Sequence, residues 1–181
     1  MEHRDLAAEA REKIGPLARR VIRKANGAIP YDYIVPNGVY EELWDWDAFF
    51  VGLHLVSVDR AAGIYLKNWC LNFLRHAEPD GHTPGGLRPW SGRDARLYHL
   101  KPLMGQATFY ASLALDDWDW IGPVWETMKS VVTYRERKMS DPATGLVKWW
   151  DSMESGADNN PSLVRRYHNS VAAGDVNGFM V

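Results

Sequence analysis

The sequence predicts an all-α chain of paired helices, and three observations carry that prediction. Apolar residues recur at helical spacing through most of the 181 residues. No stretch shows clear alternation of apolar and polar residues. Short connections alternate with long ones, the pattern of helix pairs whose long loops gather on one side into a binding face. The length suits one domain, residues 1–181, and a hydrophobic content of 46% supplies a sizeable core.

The elements follow in order. Leu6, Ile14, Leu17, Val21 and Ile22 lie among charges over 4–24 and predict a first helix. Asn26-Gly27 stops it, because both residues tolerate the left-handed conformation. The basic run Arg19, Arg20, Arg23, Lys24 reads as a solvated face. Residues 29–44, IPYDYIVPNGVYEELW, read as an extended aromatic loop punctuated by Pro30, Pro36 and Asn37-Gly38. WDAFFVGLHLV, 46–56, is apolar almost all round and predicts a buried helix. Asp59 caps the next helix, 60–76, with Ile64, Leu66, Trp69, Cys70, Phe73 and Leu74 inward.

Residues 77–98 form a long loop rich in Gly, Pro and Arg, a length usual for functional or mobile connections. Helices resume at 101–115 and 119–139, with Asp116-Asp117 as caps between them. Ser140-Asp141-Pro142 ends that unit and opens a second long loop, 141–163. A segment at 164–173 has helical character, and Asp175 opens a last helix in VNGFMV. That helix starts an apolar face without a stop signal, so the expectation is a truncated chain or a second half supplied elsewhere.

Composition narrows the function. A formal net charge of -2 leaves no electrostatic footprint for nucleic acid. Cys70 is the lone cysteine and sits in an apolar helical run, so it reads as core and no disulfide framework exists. Charges scattered over 1–13 argue against a signal peptide, and no apolar run approaches a membrane span; a cytoplasmic location is the default expectation. The six histidines show no metal-ligand spacing. His54 reads as core, and His82 and His99 as solvated loop residues. Gly85-Gly86 lacks the Lys-Ser or Lys-Thr of a phosphate loop.

Nine tryptophans and eight tyrosines exceed what this core needs. Aromatic rings with polar edges suit a site that grips sugar, covering C–H patches with the ring face and meeting hydroxyls at the rim. A protein–protein surface uses the same residues.

Two stretches place these rings beside acids. In PNGVYEELWDWDAFF, Tyr40, Trp44 and Trp46 interleave with carboxylates, and Trp44 and Trp46 share a side if extended. Asp45 reads as a helix cap, while Asp47 beside two indoles suits a bidentate grip on sugar hydroxyls. In DSMESGADNNP, Asp151, Glu154 and Asp158 follow Trp149-Trp150. Trp149, Trp150 and Met153 offer a wall that raises a carboxyl pKa, and Gly156 permits a turn that aims Asp158 inward. Asn159 and Asn160 offer amides for hydroxyls or for fixing the loop. Arg88, Trp90 and Arg93 read either as part of a lid over an acidic ligand or as plain loop residues.

Taken together, TGLVKWWDSMESGADNNPSL and LWDWDAFF resemble segments of the α-glycosidases of glycoside hydrolase family 63, with trehalases more distant. The resemblance runs from residue 30 to residue 181. Through PYDYIVPNGVYEELWDWDAFFVGL, KPLMGQ and ESGADNNP it is nearest to members that hydrolyse mannosylglycerate. It implies about half of an (α/α)6 barrel and inverting hydrolysis of a small α-glycoside without a cofactor. It implies Asp158 as general acid, Tyr40, Trp44, Trp46 and Asp47 as the sugar subsite, and Gln106 at the glycerate end. Inversion needs a second carboxylate about 6.5–9.5 Å from the acid. The resemblance places that base, a glutamate, beyond Val181, and leaves Glu154 in a supporting role. The rival expectations are a family 63 α-glucosidase for another disaccharide and a non-catalytic sugar-binding or interaction fragment.

Overall fold

The structure is a computed structural model that describes residues 6–92, 98–150, 153–156 and 171–180. The described chain is mostly helical, as the periodicity predicts. Its α-helices are α1 (Leu6–Val21), α2 (Asp45–Val58), α3 (Gly63–Arg75), α4 (Met104–Leu115), α5 (Trp125–Met139) and α6 (Gly174–Phe179). A 3-10 turn, Arg60–Ala62, leads into α3, and another, Asp119–Val124, leads into α5.

Helix α3 is the centre of the core. Leu66, Trp69, Cys70 and Phe73 recur at helical spacing and are buried against Phe49 and Leu55 of α2 and Met104, Ala107 and Ala111 of α4. Close approach depends on glycines: a Cβ on Gly52 of α2 would lie 2.6 Å from Leu66 Cδ2, and one on Gly63 of α3 would lie 2.8 Å from Ala114 Cβ. Met128 and Val131 bring α5 into the same core. A second small core joins Val147, Trp149 and Val176. Burial pushes the Cys70 thiol up to about 12, so it behaves as the core residue expected. Asp59 caps as expected, its Oδ1 accepting the Ala61 N–H at 2.9 Å.

Some expectations are corrected. Ile64 is 40% exposed rather than inward, because it lies two residues before Leu66, off the stripe that Leu66, Trp69 and Phe73 define. His54 is exposed and His99 is buried, the reverse of expectation. In α2 the buried stripe is Ala48, Phe49, Gly52 and Leu55, which leaves His54 outside and Phe50 exposed, so the helix is not buried all round. Helix α1 ends at Val21, not beyond Lys24, because Ile22–Arg23 forms strand β1 against β2, Tyr33–Ile34. Asn26-Gly27 turns the chain between them, Gly27 having φ 54°. A second ladder joins β3 (Leu43–Trp44) to β4 (Gly86–Leu87). Each strand is two residues long, too short for alternation to register in a sequence. Arg23 is not simply solvated: it donates to Gly38 O and Tyr40 O, both at 3.0 Å, and pairs with Glu41 at 3.2 Å.

Asp116 ends α4 in the left-handed region, φ 52°, and Asp117 Oδ1 accepts the Asp119 N–H at 3.2 Å. Most of 164–173 lies outside the described residues; Val171 pairs with Trp149 in an isolated bridge. Among the described residues, no helix is long and apolar enough to cross a membrane.

Candidate functional site

Tyr40, Trp44, Trp46 and Asp47, separated from Met153 and Gly156 by over a hundred residues of sequence, line one cavity of about 420 Å³. The β3–β4 ladder builds its floor. Trp44 pairs with Gly86, where a Cβ would strike the Trp44 ring at 2.6 Å, so the missing side chain lets the indole lie against backbone. Gly85 accepts the Asp45 N–H at 3.0 Å, and a Cβ there would meet the Tyr98 ring at 2.3 Å. The two glycines therefore serve close packing beneath the cavity.

Trp44 and Trp46 line the same cavity as expected, although α2 begins between them. Asp45 is structural as expected, by a different device. The N-cap position is Trp44, and Asp45 is 1% exposed. Asp45 Oδ1 accepts the Trp46 N–H at 2.6 Å and the Lys101 ammonium at 2.9 Å. Its Oδ2 accepts the Lys101 N–H at 2.8 Å. The Lys101 ammonium lies 5.7 Å from the Trp46 ring centroid and 5.6 Å from that of Tyr98. Tyr40 and Asp47 stand at the exposed mouth, with Arg23 fixing the backbone of Tyr40.

The second acidic stretch divides. Glu154 is fully buried and accepts from Arg135 Nη2 at 2.7 Å and from the Trp150 N–H. Arg135 Nη2 also donates to His99 O and Leu100 O, so this pair ties the 153–156 turn to the strand-like segment beside Lys101. Burial pushes the Glu154 carboxyl above its ordinary range, against the pull of Arg135. These contacts make Glu154 an anchor of its own turn. Gly156 takes φ 75°, the turn foreseen for it, and its Cα side faces Lys101 Cε and the Trp46 ring. Trp149 is core: it is 1% exposed and its Nε1 donates to Asp175 at 3.0 Å. Asp151, Asp158, Asn159, Asn160 and Arg93 lie outside the described residues.

Gln106 opens onto an adjoining cavity of about 380 Å³, more apolar, with Phe109, Tyr110, Val132 and Phe179 around it. Its Nε2 donates to Phe179 O at 3.1 Å. Lys101 lines both cavities, and the Trp46 and Phe179 rings stand 5.7 Å apart between them. Trp90 is 66% exposed with Arg88 beside its ring.

His99 lines the second cavity. The Thr83 N–H donates to its Nδ1 at 3.1 Å, and its Nε2 faces Val131 O at 3.3 Å, which fixes the Nε2–H tautomer. Burial, then the Arg135 and His82 charges, hold this imidazole well below its ordinary range.

Lys101, Arg135 and His99 are the groups sequence reasoning missed. Lys101 stood in KPLMGQ without a charge partner in view, since Asp45 is 56 positions away. Arg135 lies among other charges of α5, and its partner Glu154 is 19 positions away.

The chain matches no known protein-family profile. It is similar in structure to an uncharacterized conserved protein from Thermus thermophilus, seen in a crystal structure, with a TM-score of 0.58 and 25% identity. The match covers 84% of this chain and 40% of the Thermus chain.

Proposed function

We propose that the chain carries the sugar-binding and proton-donating part of an inverting α-glycosidase of glycoside hydrolase family 63, with mannosylglycerate or a related glycosylglycerate as substrate. The observation that carries this reading is the cavity in which Tyr40, Trp44, Trp46 and Asp47 converge with the turn at Met153 and Gly156. Ring faces cover the C–H side of a pyranose, and Asp47 takes its hydroxyls. Asp158, two residues beyond Gly156, is the proton donor of this reading. Gln106, across Lys101, serves the glycerate end.

The partial (α/α)6 barrel belongs to the same reading. Helix α4 turns Phe109, Tyr110 and Leu113 outward at 50%, 42% and 51% exposure, an apolar face suited to a further helical layer. The test is turnover of mannosylglycerate by the full protein. Asp158→Asn should abolish hydrolysis while binding survives; unchanged turnover would remove Asp158 from the mechanism.

A further inference from the structure

The Lys101 side chain is 3% exposed, yet it lines the aromatic cavity. An ammonium has three N–H donors. Among the described residues its one hydrogen-bond acceptor is Asp45 Oδ1, at 2.9 Å. Its other close neighbours are ring faces, Trp46 and Tyr98, which satisfy charge weakly and offer no lone pair. Asp45 itself accepts three hydrogen bonds, from the Trp46 and Lys101 backbone N–H groups and from this ammonium. The pair thus presents spare donor capacity with its charge already balanced.

We infer that Lys101 is a ligand-binding residue of this cavity, donating to a neutral hydroxyl oxygen of a pyranoside stacked on Trp46. The inference rests on the glycoside reading above, which already sets the sugar ring in this cavity, and assigns Lys101 to a sugar hydroxyl rather than to the acid end of a glycosyl acid. Burial with Asp45 argues for this choice. A second carboxylate brought to Lys101 would lie beside Asp45 in a poorly screened site and be repelled by it. A hydroxyl oxygen accepts from the ammonium without that repulsion, and its own hydrogen remains to donate to Asp47 at the mouth. The Trp46 ring, beside the ammonium and against Gly156, fixes the plane of the sugar relative to this donor.

The test is calorimetric titration of the chain with methyl α-mannoside, neutral, and mannosylglycerate, anionic. Lys101→Met alone leaves Asp45 a buried charge without its counter-ion, held only by the Trp46 and Lys101 backbone N–H groups, so the informative protein is Asp45→Asn with Lys101→Met, which removes both charges. Its fold is checked by circular dichroism and melting. The expected result is a folded double variant that binds both glycosides about tenfold more weakly than wild type, by the same factor for each. Equal affinity in variant and wild type would make Lys101 purely structural and overturn the inference while leaving the glycoside reading intact. A loss confined to mannosylglycerate would also overturn it, assigning Lys101 to the carboxylate. Wild-type protein that binds neither glycoside would remove the glycoside reading and this inference with it.

Discussion

At the scale of single residues, the site rests on buried charges that sequence spacing does not reveal. Arg135 and Glu154 are 1% and 0% exposed as side chains and hold the 153–156 turn. Arg135→Leu takes the guanidinium from the buried Glu154 carboxyl, and breaking such a pair costs about 3–5 kcal/mol. Urea unfolding should show that loss, with Arg135→Leu plus Glu154→Gln recovering part of it. His99 predicts a pH dependence. Its folded-state pKa lies below the ordinary 6.5, so below that pH the unfolded chain binds a proton that the folded chain refuses. Stability is therefore full above 6.5 and falls as pH drops toward the folded value. His99→Gln keeps an acceptor for Thr83 and a donor for Val131 but has no charge to gain. Thermal melts across this range should show a shallower acid slope in the variant. An unchanged slope would mean that His99 is not the group responsible.

At the scale of elements, the helices were legible because their inward stripes are long and regular, as in Leu66, Trp69, Cys70 and Phe73. Two-residue strands leave no periodic trace, so neither ladder was legible. The ladders matter, because β3–β4 sets Trp44 over Gly86. Tyr40, Trp44, Trp46 and Asp47 were legible as a group because they sit within eight residues of one another. Lys101 was not, because its role depends on a contact with Asp45 across 56 positions. Gly85→Ala tests the floor. Its Cβ would meet the Tyr98 ring at 2.3 Å and Asp45 Oδ2 at 3.2 Å, neither a flexible end. The expected cost is about 1–3 kcal/mol, with weakened glycoside binding, by denaturant melts and titration. Arg23→Ala should act differently: it releases Gly38 O and Tyr40 O at the surface. Binding should weaken several-fold with a stability loss of about 1 kcal/mol, since the Arg23 side chain is largely covered and gives up several hydrogen bonds to backbone carbonyls.

At the scale of the whole molecule, the main helical core carries two adjoining cavities that share Lys101 and are separated by Trp46 and Phe179. The aromatic cavity is the more polar in its lining residues, with Asp45, Asp47 and Lys101 among four rings. Its neighbour, around Gln106, is walled by Phe109, Tyr110 and Phe179. A glycoside spanning both would place its sugar on the indoles and its aglycone beside Gln106. The central claim is that the tryptophan-lined cavity holds a sugar. Titrating the folded chain with mannosylglycerate tests it most directly, with Trp46→Ala as comparison. The account predicts saturable one-to-one binding that weakens about tenfold when the indole is removed, the effect of losing a half-buried stacking ring. Folded wild-type protein that does not bind, or binding that ignores the loss of Trp46, would contradict it.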